Sequence, residues 1–210
     1  MRLGLTSDIH GEIENLKKAF SFLEDKECKI FCLGDLVSED SEENELCINL
    51  IKKLGINTVL GQHDDTCVKI NSPPVSSDAR NFLKSLPITI YYDNLFFVHD
   101  NPLEKAREGK GMWNQGSYIK SSLESDVVFE DLPDFLSDFR FFFIGHTHVP
   151  KVFSSKTGEI EFQFDTPMKL ESDEQYIINP GRIGGVDRYS MGVSCAIFDT
   201  ESHMLTIAKL

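Results

Sequence analysis

No apolar run in the 210-residue sequence approaches the ~20 residues of a membrane-spanning helix, so no membrane partner is expected. The opening Met1-Arg2-Leu3-Gly4-Leu5 reaches Asp8 too soon for a secretory signal. Cysteine is sparse and odd in number, five residues without a secretion signal. That favours reduced thiols in a cytoplasm over a disulfide framework. Cys28 and Cys32 could form half of a metal site, but no second pair follows, and they read as small buried residues. Basic residues are outnumbered 21 to 34, and the net charge is -13. Lys and Arg form no cluster, so duplex nucleic acid would be repelled at long range and is not an expected partner. A small phosphorylated substrate is not excluded, because acidic groups that hold cations are neutralised by them. No repeat, low-complexity tract or linker divides the chain, so residues 1–210 read as a single domain. That length suffices to bury roughly 70% of the unfolded surface.

What the sequence does contain is a series of strands that end in Asp or His. Phe141-Phe142-Phe143-Ile144 is an apolar run that reads as a buried strand, broken at Gly145 and followed by His146-Thr147-His148-Val149-Pro150. In extended chain, residues i and i+2 share a side, so His146 and His148 are expected to aim at one place. They read either as a metal site or as two surface histidines in a turn. Asp8 and His10 repeat the pattern after a strand over Arg2–Thr6. Ile13, Leu16, Phe20 and Leu23 then recur at helical spacing. Lys29–Leu33 reads as a strand ending in Gly34-Asp35. Leu46, Leu50 and Leu54 predict the buried face of a second helix, and Asn57–Leu60 a third strand ending in Gly61-Gln62-His63-Asp64.

Strands alternating with helices predict a parallel α/β layer, with functional groups gathered at the carboxyl ends of its strands. Asp78–Leu86 reads as a short helix stopped by Pro87, and Ile88–Tyr92 with Leu95–Val98 as a hairpin that delivers His99. Residues 103–135 carry no motif and read as a variable segment bordering the site. Its Trp113 could stack on a base or leaving group, or pack within its own segment. The remainder reads as short strands over Val152–Phe153, Glu159–Phe164, Tyr176–Asn179, Gly192–Phe198 and Met204–Ala208.

Of six histidines, His10, His63, His99, His146 and His148 follow predicted strands beside Gly or Asp; His203 does not. With Asp8, Asp35 and Gln62 they form a mixed carboxylate and imidazole inventory without thiolate. Such a set suits Mn, Fe or Zn better than it suits a structural zinc. It holds too many ligands for one ion, and two ions ~3.5–4 Å apart, sharing a carboxylate, would satisfy it.

Asp-x-His, Gly-Asp, Gly-x-His-Asp, a lone His after a strand, and Gly-His-Thr-His occur here in the order and approximate spacing of the calcineurin-like metallophosphoesterases. Ile178-Asn179-Pro180-Gly181-Arg182 resembles the Asn-Pro-Gly turn of their small prokaryotic phosphodiesterase branch. The resemblance implies a four-layer α-β-β-α sandwich with two mixed β-sheets and two metals at the strand ends. It implies that Asp8, His10 and His148 hold one ion, that Asp35 bridges, and that His99, His146 and the residue at Gln62 hold the other. His63 would instead assist catalysis, by stabilising charge on the phosphate or protonating the leaving oxygen. The implied reaction is hydrolysis of a small phosphodiester or phosphomonoester, by in-line attack of a hydroxide between the metals.

Two departures stand out. The family pattern has Asn where this chain has Gln62, and one added methylene displaces the amide by roughly 1.5 Å unless the backbone compensates. The alternative function is accordingly a non-catalytic binding or scaffold protein with an impaired second site. Ser38-Glu39-Asp40 also replaces the Asp-Arg-Gly of the protein Ser/Thr phosphatases, which argues against a phosphoprotein substrate. Arg182 reads either as a contact to substrate phosphate or as an ordinary turn residue.

Overall fold

The computed structural model describes residues 1–100, 136–185 and 191–210. The 103–135 segment, with Trp113, lies outside the described residues. Four helices are described: α1 (Ile13–Asp25), α2 (Asn44–Leu54), α3 (Gln62–Ile70) and α4 (Ser77–Ser85). The strands are β1 (Arg2–Thr6), β2 (Lys29–Cys32), β3 (Asn57–Thr58), β4 (Thr89–Tyr92), β5 (Leu95–Val98) and β6 (Phe141–Phe143). They continue with β7 (Lys151–Ser154), β8 (Gly158–Glu159), β9 (Met168–Lys169), β10 (Tyr176–Asn179), β11 (Ser194–Asp199) and β12 (Met204–Lys209).

These strands form two six-stranded mixed sheets, ordered β3-β2-β1-β11-β12-β9 and β4-β5-β6-β10-β7-β8. Each contains one parallel trio: β1, β2 and β3 in the first sheet, and β5, β6 and β10 in the second. Parallel strands put their carboxyl ends along one edge, which is where this chain places its Asp and His residues.

Alternation along the strands explains the layers. Leu3, Leu5, Phe31 and Leu33 of the first sheet meet Phe97, Phe141 and Phe143 of the second in a core between the sheets. Phe31 stacks on Phe97 with ring centroids 4.4 Å apart, and Phe97 on Phe143 at 5.0 Å. Ile30 and Cys32 face the other way, under α1, α2 and α4. The opposite face of the second sheet carries Phe96, Val98, Phe142 and Ile177 in a third apolar set. Among the described residues no helix covers that face, and the expected fourth layer falls outside them.

Three local readings change. In α2 the stripe Leu46–Leu54 is not the core face: Leu46 and Leu54 are exposed, whereas Cys47, Ile48 and Ile51 are buried. Both stripes fit a helical period, and contact with α1 and α4 selects between them. Gln62 and His63 open a helix rather than ending a strand. The apolar residues of α3 are too few to mark its period, and its start depends on Asp64, whose Oδ2 accepts from the Gly61 N–H at 3.0 Å. Finally, of the predicted Glu159–Phe164 strand only Gly158–Glu159 pairs, while Met168–Lys169 adds an unanticipated edge to the first sheet.

Candidate metal centre

The polar groups at the strand ends are held by the backbone in an unusual conformation. Asp8, His10, Asp35, His146 and His148 all have left-handed φ, between 48° and 69°. Asp and His tolerate this region better than most side chains, and such residues concentrate at functional sites. The strands stop at Thr6 and Phe143, so extended alternation does not operate here. His146 and His148 therefore do not aim at a single point. His148 turns toward Asp8 and His10, while His146 lies beside His99 with ring centroids 5.6 Å apart.

Three overlapping triads result: Asp8–His10–His148, His10–Asp35–His63 and Asp8–Asp35–His99, with the donor atoms of each within 4.8 Å of one another. In the first, His10 Nε2 lies 3.0 Å from His148 Nε2, and Asp8 Oδ1 is 3.4 Å from His148 Nε2 and 3.8 Å from His10 Nε2. In the third, His99 Nδ1 is 2.6 Å from the Leu33 carbonyl oxygen, which can only accept. That bond places a proton on Nδ1 and leaves Nε2 as the ring nitrogen facing Asp35 Oδ2, at 3.0 Å. With Nε2 unprotonated, a carboxylate and an imidazole nitrogen at this distance would favour a cation between them. The remaining atoms agree with that reading: Asp8 Oδ1, Asp35 Oδ2 and His146 Nδ1 are buried without a hydrogen-bond donor among the described residues. The donor set thus fits divalent ions.

The other carboxylate oxygens are fixed. Asp8 Oδ2 accepts from the His146 N–H at 3.0 Å, and Asp35 Oδ1 from the His63 N–H at 2.8 Å. Each bond joins two of the strand-end loops. Burial alone would raise the pKa of Asp8, but the His10 and His148 rings beside Oδ1 overcome it and hold the carboxyl well below its usual range. In Asp35 burial is likewise outweighed, chiefly by His99. Burial works against a proton on His10, yet the neighbouring carboxylates of Asp8 and Asp35 raise its pKa. Burial prevails at His63 and His146, whose pKa values are lowered.

Gln62 occupies the first turn of α3 and is half-buried; its amide makes no hydrogen bond among the described residues. His63 sits edge-on to His10, ring centroids 5.0 Å apart. Arg182 is buried and donates from Nη1 to the Gly184 and Gly185 carbonyls.

Three positioning groups went unassigned at the level of sequence. The Asn179 amide donates to the Gly145 carbonyl at 2.7 Å and Thr147 Oγ1 at 3.0 Å, and its oxygen accepts from the Gly181 N–H at 2.8 Å. It ties the Gly-His-Thr-His loop to the Asn-Pro-Gly turn. Asp64 is buried; Oδ1 accepts from Leu36 N at 2.8 Å and Val37 N at 3.3 Å, joining the Asp35 loop to α3. Burial, then the charge of Asp35, push this carboxyl up to about 7, against the backbone donors of Gly61 and Leu36. Gly145 allows close approach: a Cβ there would strike Ser7 Oγ and lie 3.0 Å from Asp8 Oδ2. The available signals were a polar residue at a further strand end for Asn179 and the Gly-x-His-Asp motif for Asp64.

Comparison with known proteins agrees with this geometry. The sequence profile of the calcineurin-like phosphoesterase superfamily domain matches residues 1–203. An uncharacterized protein of Methanocaldococcus jannaschii is 29% identical over 219 residues, spanning 99% of this chain and 86% of its own. The crystal structure of a metallophosphoesterase from Sphaerobacter thermophilus matches with a TM-score of 0.77 at 23% identity, covering 100% of this chain and 88% of its own. A structure described as a novel archaeal phosphodiesterase matches with a TM-score of 0.54 at 18% identity, covering 100% of both chains. These structural likenesses carry the fold alone, whereas the profile spans nearly the whole sequence. The chain therefore belongs to the calcineurin-like phosphoesterase superfamily, metal-dependent hydrolases of phosphoester bonds.

Proposed function

We propose that the protein is a two-metal phosphoesterase that hydrolyses a small phosphodiester or phosphomonoester by in-line displacement at phosphorus. The observation that carries this reading is the overlap of the triads, in which Asp8 and Asp35 each belong to two. On this reading Asp8, His10 and His148 hold one ion, Asp35 is shared, and His99, His146 and the Gln62 amide hold the second. Mn, Fe or Zn suits the mixed carboxylate and imidazole donors. Two such ions supply hydroxide at neutral pH and steady the attacking and leaving oxygens.

The chain's own groups orient and move protons. The Leu33 carbonyl keeps the proton on His99 Nδ1 and so directs Nε2 inward. Asp35 sets the start of α3 through the His63 N–H, and so places the His63 ring. His63, neutral because burial lowers its pKa, presents a ring N–H to a phosphate oxygen or the leaving oxygen. A bound phosphate's negative charge raises the proton affinity of that imidazole, as a general acid requires. The five free cysteines fit a reducing cytoplasm.

Purified protein supplied with Mn²⁺ is expected to hydrolyse bis-p-nitrophenyl phosphate or p-nitrophenyl phosphate. Absence of turnover with every divalent ion tried, together with uptake of one ion or none, would favour the scaffold alternative. His63→Ala is expected to keep both ions and lose most turnover, and loss of an ion would refute the role assigned to His63.

A further inference from the structure

The loop after the Asn-Pro-Gly turn is bound to the metal centre by its backbone. The Ile183 N–H donates to Ser7 O at 2.9 Å and Asp8 O at 3.2 Å, and the Gly184 N–H to Asp8 O at 2.8 Å. Gly185, with φ of 76°, lies against both imidazoles of the first triad. A Cβ there would sit 2.9 Å from His10 Cδ2 and 3.2 Å from His148 Cε1. The segment thus forms a wall behind His10 and His148. Its curl is also held by Arg182, whose Nη1 donates to both the Gly184 and the Gly185 carbonyls. Arg182 is itself buried, with 6% of its surface exposed.

We infer that Arg182 is a positioning residue for the Asp8–His10–His148 metal position, acting through the Gly184–Gly185 wall. The inference rests on the two-metal reading above and adds a residue that touches neither ion. Its selectivity follows from the contacts described: the wall meets Ser7, Asp8, His10 and His148, whereas the Asp35 carboxylate and the His99 ring are held by the His63 N–H and the Leu33 carbonyl. Without the guanidinium, two loop carbonyls lose a buried donor and the wall can swing toward water. Supporting groups of this kind typically alter metal affinity by about 10–100-fold.

The test is Arg182→Met, which keeps the alkyl stem and removes the donors. Mn²⁺ is titrated calorimetrically into wild type and variant, and electron paramagnetic resonance separates a coupled ion pair from a lone ion. The expected result is that the variant binds one ion with wild-type affinity and the other at least ~10-fold more weakly. Anomalous scattering from crystals should place the retained ion on the Asp35–His99 side. Unchanged affinity at both positions would overturn the inference, as would equal weakening of both with a large fall in the melting temperature of the metal-free protein. If Arg182→Met does not fold, Gly185→Ala decides: its methyl should weaken the same single position, and unchanged binding would overturn the inference. Wild type that takes up no ion would defeat the two-metal reading itself, and this inference with it.

Discussion

Replacing Asn179 tests whether the loop carrying His146 and His148 is held in place by one amide. The side chain is fully buried and makes three hydrogen bonds, to Gly145 O at 2.7 Å, Thr147 Oγ1 at 3.0 Å and from Gly181 N at 2.8 Å. Asn179→Ala leaves the Gly145 carbonyl and the Gly181 N–H without those partners. At about 1–3 kcal/mol for the stranded Gly181 N–H and about 0.5–1.5 kcal/mol for the bond lost to Gly145, which keeps the Thr147 N–H, the cost is about 1.5–4.5 kcal/mol. That is a large share of a total stability of about 5–15 kcal/mol. Asn179→Asp has almost the same shape and separates electrostatics from packing. It keeps an acceptor for Gly181 but sets a carboxylate oxygen against the Gly145 carbonyl, so at pH 8 it should cost more than Ala. The introduced carboxyl then has a folded pKa above its unfolded value. Its stability contribution is therefore present below the unfolded pKa and lost as pH rises through the folded one, so acid should restore the Asp variant but not the Ala variant. Urea unfolding of metal-free protein, followed by circular dichroism, measures both. A cost under about 1 kcal/mol for Ala, or an Asp variant no worse than Ala and indifferent to pH, would refute the reasoning. Both variants should also weaken Mn²⁺ at both positions, since the loop serves each, in contrast to the one-sided defect expected of Arg182→Met.

Three further predictions concern protons, packing and the Asp35 loop. His10 has a raised pKa in the metal-free site, so a proton competes with the ion. Apparent Mn²⁺ affinity should fall as pH drops through that raised value, by up to about tenfold per unit, and a flat profile from pH 8 to 5 would contradict this. The same shift gives the metal-free protein stability that is present below the ordinary histidine value and lost as pH rises through the folded one. In α2, Ile48→Ala should cost about 2–5 kcal/mol and Leu46→Ser within about 0.5 kcal/mol, as read by denaturant midpoints; equal costs would mean the wrong face is buried. Asp64→Ala strands the N–H groups of Gly61, Leu36 and Val37 and should cost at least about 3 kcal/mol while lowering turnover through the Asp35 loop. Unchanged turnover in that folded variant would show that Asp64 supports the fold alone.

The residue types at the strand ends were legible from the chain alone. Asp8, His10, Asp35, His63, His99, His146 and His148 stand out because a carboxylate or imidazole directly after an apolar run, beside glycine, has little use in a core. The unbroken apolar run at Phe141–Ile144 foretold a buried strand, Leu95–Val98 was legible as half of a hairpin, and the motif order foretold two mixed sheets. Local pattern did not decide how the ligands divide. The reasoning that paired His146 with His148 assumed extended backbone, and both adopt left-handed φ, which sends one ring to each side of the centre. The same limit applies to α2, where two stripes satisfy one helical period and only the neighbouring helices choose between them.

What the sequence determined by itself is the chemistry: which side chains can hold cations, and in what order they emerge from the sheets. What tertiary structure decided is partnership: Asp35 with His99, His10 with His148, Asn179 with Gly145, and Arg182 with the wall behind the first triad. The physical reason is range. Periodicity and turn propensity act over a few residues, whereas the His10–His148 contact joins positions 138 apart. Such a contact exists only after two parallel trios of strands, one in each sheet, have brought their carboxyl ends to a common edge.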